Sequence, residues 1–181
     1  MIVEEIIKKI RDIEVNFTLE NLFERIEDRL RWPIKYPWGQ PSIEVIDKEN
    51  LKHQNFFDIQ DGFVDPLKCI DAYHQGYSLL FSNVGYLQKD ITKIKNILDK
   101  NFNINCNMNL YLGTGYKTPS FLSHTHEYPV LIKNIFGKSK WIIDNQEIVL
   151  EKQNCIFFNK EISHQVIEIM EPKLSLTCNL E

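Results

Sequence analysis

The first thirty residues carry apolar side chains at helical spacing. Ile2, Ile6, Ile10 and Ile13 form one stripe, and Leu19, Leu22, Phe23, Ile26 and Leu30 form a second, which predicts two amphipathic helices within residues 1–31. Thr18 stands where it can cap the second helix, although no glutamate follows at the third position to complete a capping box. The next run, "RWPIKYPWGQPSIEVID", has the prolines that end helices and reads as an irregular strap over another surface, or as a lip beside a ligand.

"DPLKCIDAYHQGYSLLFSNV" predicts a short helix and then a strand, with Gly76 at the junction. "DITKIKNILDKNF" predicts another amphipathic helix, with Asp90 near its start and Ile91, Ile94, Ile97 and Leu98 on one face. From residue 104 the period changes to that of strands. "INCNMNLYLG" alternates until Gly113 and Gly115 interrupt it, and further strands are expected around His124, Trp141, Val149, Phe157, Val166 and Leu176. "WIIDNQEIVL" predicts a hairpin turning at Asp144 and Asn145. Short, closely spaced strands after a helical section predict a mainly β sandwich or barrel wrapped by helices. We expect a single domain over residues 1–181, with the helical wrap and first strands in 1–100 and the β core in 104–181.

Composition narrows the function classes. The chain is 43% hydrophobic and 12% aromatic, so a packed core is expected rather than disorder. A net charge of −4 lacks the basic footprint of a nucleic-acid binder. "MIVEEIIKKIRDIE" has charges every few residues, unlike a signal peptide, and no run approaches the roughly 18 apolar residues of a membrane helix. Cys69, Cys106, Cys155 and Cys178 form no CxxC pair, so free thiols and a cytoplasmic location are expected. The expected partner is a small molecule or a peptide, with neither nucleic acid nor membrane; the apolar N-terminal helix pair offers a surface for a homodimer.

The chemistry concentrates in "SHTHEYPVLIKNIFGKSKW". On a strand, Leu122, His124, His126, Tyr128 and Val130 would share one face, projecting two imidazoles together among apolar neighbours. Buried imidazoles with nothing between them are costly, and a divalent metal resolves the cost, since neutral imidazole is a common transition-metal ligand. The competing account is a pair of solvated or hydrogen-bonded histidines. His164, in "FFNKEISHQVIEI", begins another alternating run, and a neighbouring strand would bring it to the same metal. His74 reads as a helix-end residue and His53 as a loop residue. Trp32, Tyr36, Trp38 and Trp141 are candidates for a substrate mouth or for the core. Asn107 and Asn109 are polar on a strand that is otherwise buried, and so need partners.

"HTHEYPVLIKNIFG" resembles the first cupin motif, and residues 151–164 resemble the second, a strand and turn leading to a further histidine. The glutamate many cupins place four residues after the second histidine is replaced by Val130, and Glu127 should face away. A closer resemblance is to the JmjC-type hydroxylases and demethylases: "NMNLYLG" is similar to their N-x-Y strand, "HTHE" to their metal strand and "GKSKW" to a G-K-x-K-W-like strand. The resemblance covers roughly residues 70–180 as a pattern. It implies a double-stranded β-helix (a cupin or jelly-roll barrel) preceded by N-terminal α-helices, holding Fe(II), with 2-oxoglutarate as co-substrate.

Carried over, His124 and His164 would be the two histidine ligands, and His126 stands where the family has a carboxylate. Ser139 stands where it has the basic residue that binds 2-oxoglutarate, with Lys138 and Lys140 pointing to the opposite face. The expected metal site is therefore His124, His126 and His164, with Tyr111, Asn109, Lys140 and Trp141 as candidates for binding substrate or co-substrate. The implied activity is that of a mononuclear non-haem iron oxygenase acting on a small molecule, amino acid or peptide side chain. A metal- or ligand-binding module without turnover and a metal-dependent isomerase or lyase stay open beside it.

Overall fold

The computed structural model describes residues 2–27, 32–46, 52–53, 61–103, 105–115 and 121–181. Leu30 and the ends of the strap, Arg31 and Asp47, lie outside the described residues, as do the side chains of Ile2 and His53. The elements in chain order are α1 (Ile2–Arg11), α2 (Leu19–Ile26), β1 (Ile43–Ile46), β2 (Lys52–His53), α3 (Pro66–His74), β3 (Ser78–Phe81), α4 (Lys89–Phe102), β4 (Asn107–Gly113), β5 (Val130–Ile143), β6 (Gln146–Leu150), β7 (Cys155–Phe158) and β8 (His164–Asn179).

All strand pairs are antiparallel, in the order β2-β1-β3-β4-β8-β5-β6, with β7 also pairing to β5. The two longest strands, β5 and β8, run side by side through four register shifts between Asn134 and Trp141. Each shift adds local twist and bend, so the sheet coils into a barrel instead of lying flat. Gly137 makes the tightest crossing possible: its φ is +75°, and a Cβ there would lie 1.9 Å from the Pro172 carbonyl oxygen. The result is a mainly antiparallel β fold with N-terminal helices, as the sequence implies.

Strand alternation sorts two cores. One face of the sheet turns Val45, Phe81, Leu110, Leu112, Leu174 and Leu176 toward the helices, which answer with Ile6, Ile10, Leu22, Ile26, Ile91, Ile94 and Leu98. The other face lines the barrel with Val130, Ile132, Trp141, Ile143, Phe158, Val166 and Ile169. The helix stripes are thus packed into the chain's own core. The N-terminal helix is also fastened by polar contacts from the barrel: the buried Lys133 ammonium donates to the Ile10, Arg11 and Gln153 carbonyls at 3.4, 3.0 and 3.2 Å, and Gln153 exchanges two 3.2 Å bonds with the Val15 backbone. Lys133 therefore satisfies carbonyls that the end of α1 leaves open.

Several local expectations need correction. Thr18 caps α2 with a full capping box, because Asn21 replaces the absent glutamate and its side chain accepts from the Thr18 N–H. His53 lies in a two-residue strand and not a loop. Val166 and Leu176 belong to one long strand, β8. No strand forms around His124; residues 121–129 are irregular, and Leu122, instead of sharing the histidine face, is 68% exposed. The hairpin forms as expected, with Asp144 and Asn145 at φ values of 49° and 61°, the left-handed pair of a type I′ turn.

Candidate metal centre

The irregular HxH segment is pinned to the start of β8. The His124 N–H donates to the His164 carbonyl at 3.2 Å, the His164 N–H donates to the His124 carbonyl at 3.0 Å, and the Glu161 N–H donates to the His126 carbonyl at 2.7 Å. An extended chain alternates its side chains even outside a regular ladder, so His124 and His126 still turn the same way. The three imidazoles converge: ring centroids are 5.0 Å apart for His124 and His126, 4.3 Å for His124 and His164, and 5.1 Å for His126 and His164. One ring nitrogen from each lies within 4.8 Å of the other two, a grouping that could hold a metal ion.

Hydrogen bonding sets which nitrogen is free. His124 Nδ1 meets the Leu122 carbonyl at 2.8 Å and His164 Nδ1 meets the Ile162 carbonyl at 3.0 Å. A carbonyl only accepts, so in the neutral rings Nδ1 carries the proton and Nε2 keeps its lone pair for a ligand. Burial, followed by the neighbouring imidazoles, lowers the His164 pKa to about 4, and burial with the nearby His124 lowers that of His126. Neutral imidazoles with an oriented free nitrogen are what a borderline-soft divalent cation requires. Tyr128 stacks on His126 at 5.0 Å with 16° between the planes, and Phe158 lies 4.6 Å from His164, so both ring orientations are supported from behind.

The histidines open into a small cavity of about 40 Å³, also lined by Tyr111, Phe121, Ile132, Trp141 and Lys173. Of the expected substrate-binding residues, Tyr111 and Trp141 line it. Asn109 and Lys140 do not. The Asn109 side chain accepts from the Asn83 N–H at 3.3 Å, and Lys140 turns outward to Glu147 at 3.4 Å. Lys138 likewise meets Glu151 at 2.7 Å, and Ser139 accepts from Trp141 Nε1 at 2.9 Å. The aromatic strap is no part of the mouth: Trp32 is buried against Phe81, Tyr36 and Trp38 stack on each other, and none of the three lines the cavity. His74 ends α3, as expected. Val130 is buried in the barrel and Glu127 is exposed.

Sequence reasoning missed Lys173. It is 1% exposed, its ammonium donates to Ser175 Oγ at 3.2 Å, and it lies 5.3 Å from the centroid of the Trp141 ring. The available signal was the alternation in "KLSLTCN", where Leu174, Leu176 and Cys178 face the helices and Lys173, Ser175 and Thr177 face the barrel.

No family model matches the sequence and no curated protein matches it. Solved structures show partial likeness. A conserved protein of unknown function from Streptococcus pyogenes is 12% identical over 42% of this chain and 64% of its own, with a TM-score of 0.39. A cupin superfamily protein from Desulfitobacterium hafniense is 13% identical over 41% of this chain and 66% of its own, with a TM-score of 0.38. Salicylate 1,2-dioxygenase from Pseudoaminobacter salicylatoxidans is 7% identical over 41% of this chain and 19% of its own, with a TM-score of 0.37. Each likeness takes in under half of this chain and under two thirds of the other, so the chemistry of the centre rests on its own residues.

Proposed function

We propose that His124, His126 and His164 hold one divalent metal, with Fe(II) the first candidate, and that the protein is a mononuclear non-haem iron oxygenase of the JmjC or cupin type. The observation that supports this reading most directly is the convergence of three imidazoles within 4.8 Å on the wall of a cavity. Bound iron would supply redox chemistry with dioxygen that amino-acid side chains cannot. The chain's own contribution is structural and electrostatic. The Leu122 and Ile162 carbonyls orient the His124 and His164 rings, Tyr128 and Phe158 brace those of His126 and His164, and Phe121, Ile132 and Trp141 restrict water around the reacting groups. The small cavity favours a compact substrate, a small molecule or one amino-acid or peptide side chain.

Within this reading 2-oxoglutarate is the co-substrate to test first, as the JmjC resemblance implies. Three imidazoles without a carboxylate ligand support a second reading as well: a zinc, nickel or manganese isomerase or lyase, or a binding module without turnover. The four free, buried cysteines suit the proposed cytoplasmic setting, and no helix among the described residues is long and apolar enough to cross a membrane. The deciding experiment is elemental analysis of untagged protein, then oxygen uptake after anaerobic Fe(II) loading, with and without 2-oxoglutarate. About one metal per chain and 2-oxoglutarate-stimulated uptake are expected. Metal without oxygen consumption moves the protein to the second reading, and protein that takes up no metal ends both.

A further inference from the structure

The fold sorts the charges of α4 by face. Both of its carboxylates are engaged. Asp90 Oδ2 accepts from Gln88 Nε2 at 2.8 Å and from the Asn16 N–H at 3.4 Å, while Asp99 pairs with the buried Lys95 at 2.9 Å and accepts from the Cys106 N–H at 2.8 Å. The outward lysines are left without such partners. Lys89, Lys93 and Lys100 recur along one stripe at helical spacing, and with Lys9 of α1 they line a groove of about 530 Å³ between the two helices. All four are exposed and none has an ion pair among the described residues, of which no carboxylate lines the groove. Glu5 and Asp12 flank Lys9 on its own side of the groove but lie outside the lining. Two local rules are broken here. Lys89 is the first residue of α4, where the helix dipole disfavours a cation, and Lys89 and Lys93 stand one turn apart with like charge. The chain as a whole carries a net charge of −4, so this concentration of cations runs against its overall balance. Local rules broken without a structural return mark functional surfaces.

We propose that the groove between α1 and α4 docks an acidic peptide segment of a partner protein. Lys89 and Lys100 stand about 16 Å apart along the helix axis at a rise of about 1.5 Å per residue, so a lone phosphate or carboxylate cannot meet both ends. An extended peptide spans that length with about five residues. Asn96 and Asn101 offer neutral donors to its backbone, and Ile97 gives the groove an apolar floor. Nucleic acid fits less well, because the lining has neither an arginine fork nor an aromatic platform for bases. A membrane surface fits less well too. None of the large exposed hydrophobic side chains among the described residues belongs to α1 or α4, which leaves the helix pair nothing to insert. Both helices pack on the sheet face opposite the barrel lining, so docking here is separate from the metal centre and does not rest on it.

The test is fluorescence anisotropy of a fluorescein-labelled decaglutamate peptide titrated with the full chain at low ionic strength, with oligouridylate and phosphatidylserine vesicles as rival probes. Saturable binding of the peptide is expected, tighter than that of either rival at equal salt. It should weaken as salt rises, because exposed charges are screened. Charge reversal in the Lys93→Glu/Lys100→Glu double variant should weaken the peptide about tenfold or more. Lys152→Glu/Lys160→Glu makes the same change in net charge at exposed lysines outside the groove and should leave affinity within about twofold. Lys93→Gln/Lys100→Gln only neutralises the stripe; it should lose several-fold in affinity with a melting temperature no lower than wild type, which guards against a reversal variant that fails to fold. No saturable binding of the peptide, tighter binding of oligouridylate or vesicles, or equal losses in the groove and control variants overturns the proposal.

Discussion

His124 and His164 are bonded to each other twice through their backbones, at 3.2 and 3.0 Å, and their rings lie 4.3 Å apart. The ligand pair is therefore built by the same contact that closes the irregular segment onto β8. Replacing either ring with alanine removes a ligand and keeps the backbone bonds. We expect His124→Ala and His164→Ala to lower metal affinity by more than the about 10–100-fold typical of losing a ligand's outer partner. Circular dichroism should stay close to that of the wild type. Metal content equal to wild type in both variants defeats the assignment.

His126→Asp introduces the carboxylate that the JmjC resemblance places at this position. If the site retains the rest of a 2-oxoglutarate centre, the variant should gain Fe(II)-dependent decarboxylation of 2-oxoglutarate, read as released carbon dioxide. No gain with metal still bound favours chemistry native to three histidines.

Lys173 gives a stability prediction with a defined sign. Burial lowers its pKa from 10.5 to about 8. Between those values the unfolded chain holds a proton that the folded chain has released, so stability rises with pH across this window, and the penalty is fully present below it. Lys173→Met should accordingly stabilise the ligand-free protein at pH 7 by about 1–3 kcal/mol, seen as a melting temperature higher by about 3–10 °C. The gain should shrink toward pH 10. A lower melting temperature at pH 7 would show that the ammonium supports the fold.

Gly137→Ala should be severe. The substitution places a Cβ 1.9 Å from the Pro172 carbonyl oxygen and 2.7 Å from the Lys173 Cα, at a φ of +75°. Backbone strain and overpacking together are worth about 2–5 kcal/mol. Denaturant unfolding is the measurement, and a midpoint unchanged from wild type would mean that β5 and β8 cross less tightly than described.

How far the chain could be read depends on what each residue's meaning rests on. The helix stripes, the Asp144–Asn145 hairpin and the spacing of the three histidines are local patterns, and their described parts emerge in the structure, although Ile13 lies beyond the end of α1. His124 and His126 share a direction although no strand forms there, because side-chain alternation belongs to extended backbone and not to the ladder. Lys173 was illegible for a different reason. A lysine on a strand ordinarily reaches solvent, and Lys173 does not because β8 pairs on both edges and turns this face into the cavity. Asn109 and Lys140 have suitable chemistry but spend it on Asn83 and Glu147, partners that spacing along the chain does not announce.

The position of β8 also sets an order of events during synthesis. β8 follows both of its neighbours in the chain, fills the slot between β4 and β5 and carries His164 and Lys173 with it. Until it has left the ribosome, β4 and β5 each present an open edge, and His124 lacks the His164 backbone to which it bonds. A chain stalled before β8 would therefore expose two open strand edges and lack the third histidine, which makes completion of this one strand the step that both covers an aggregation-prone edge and completes the three-histidine group.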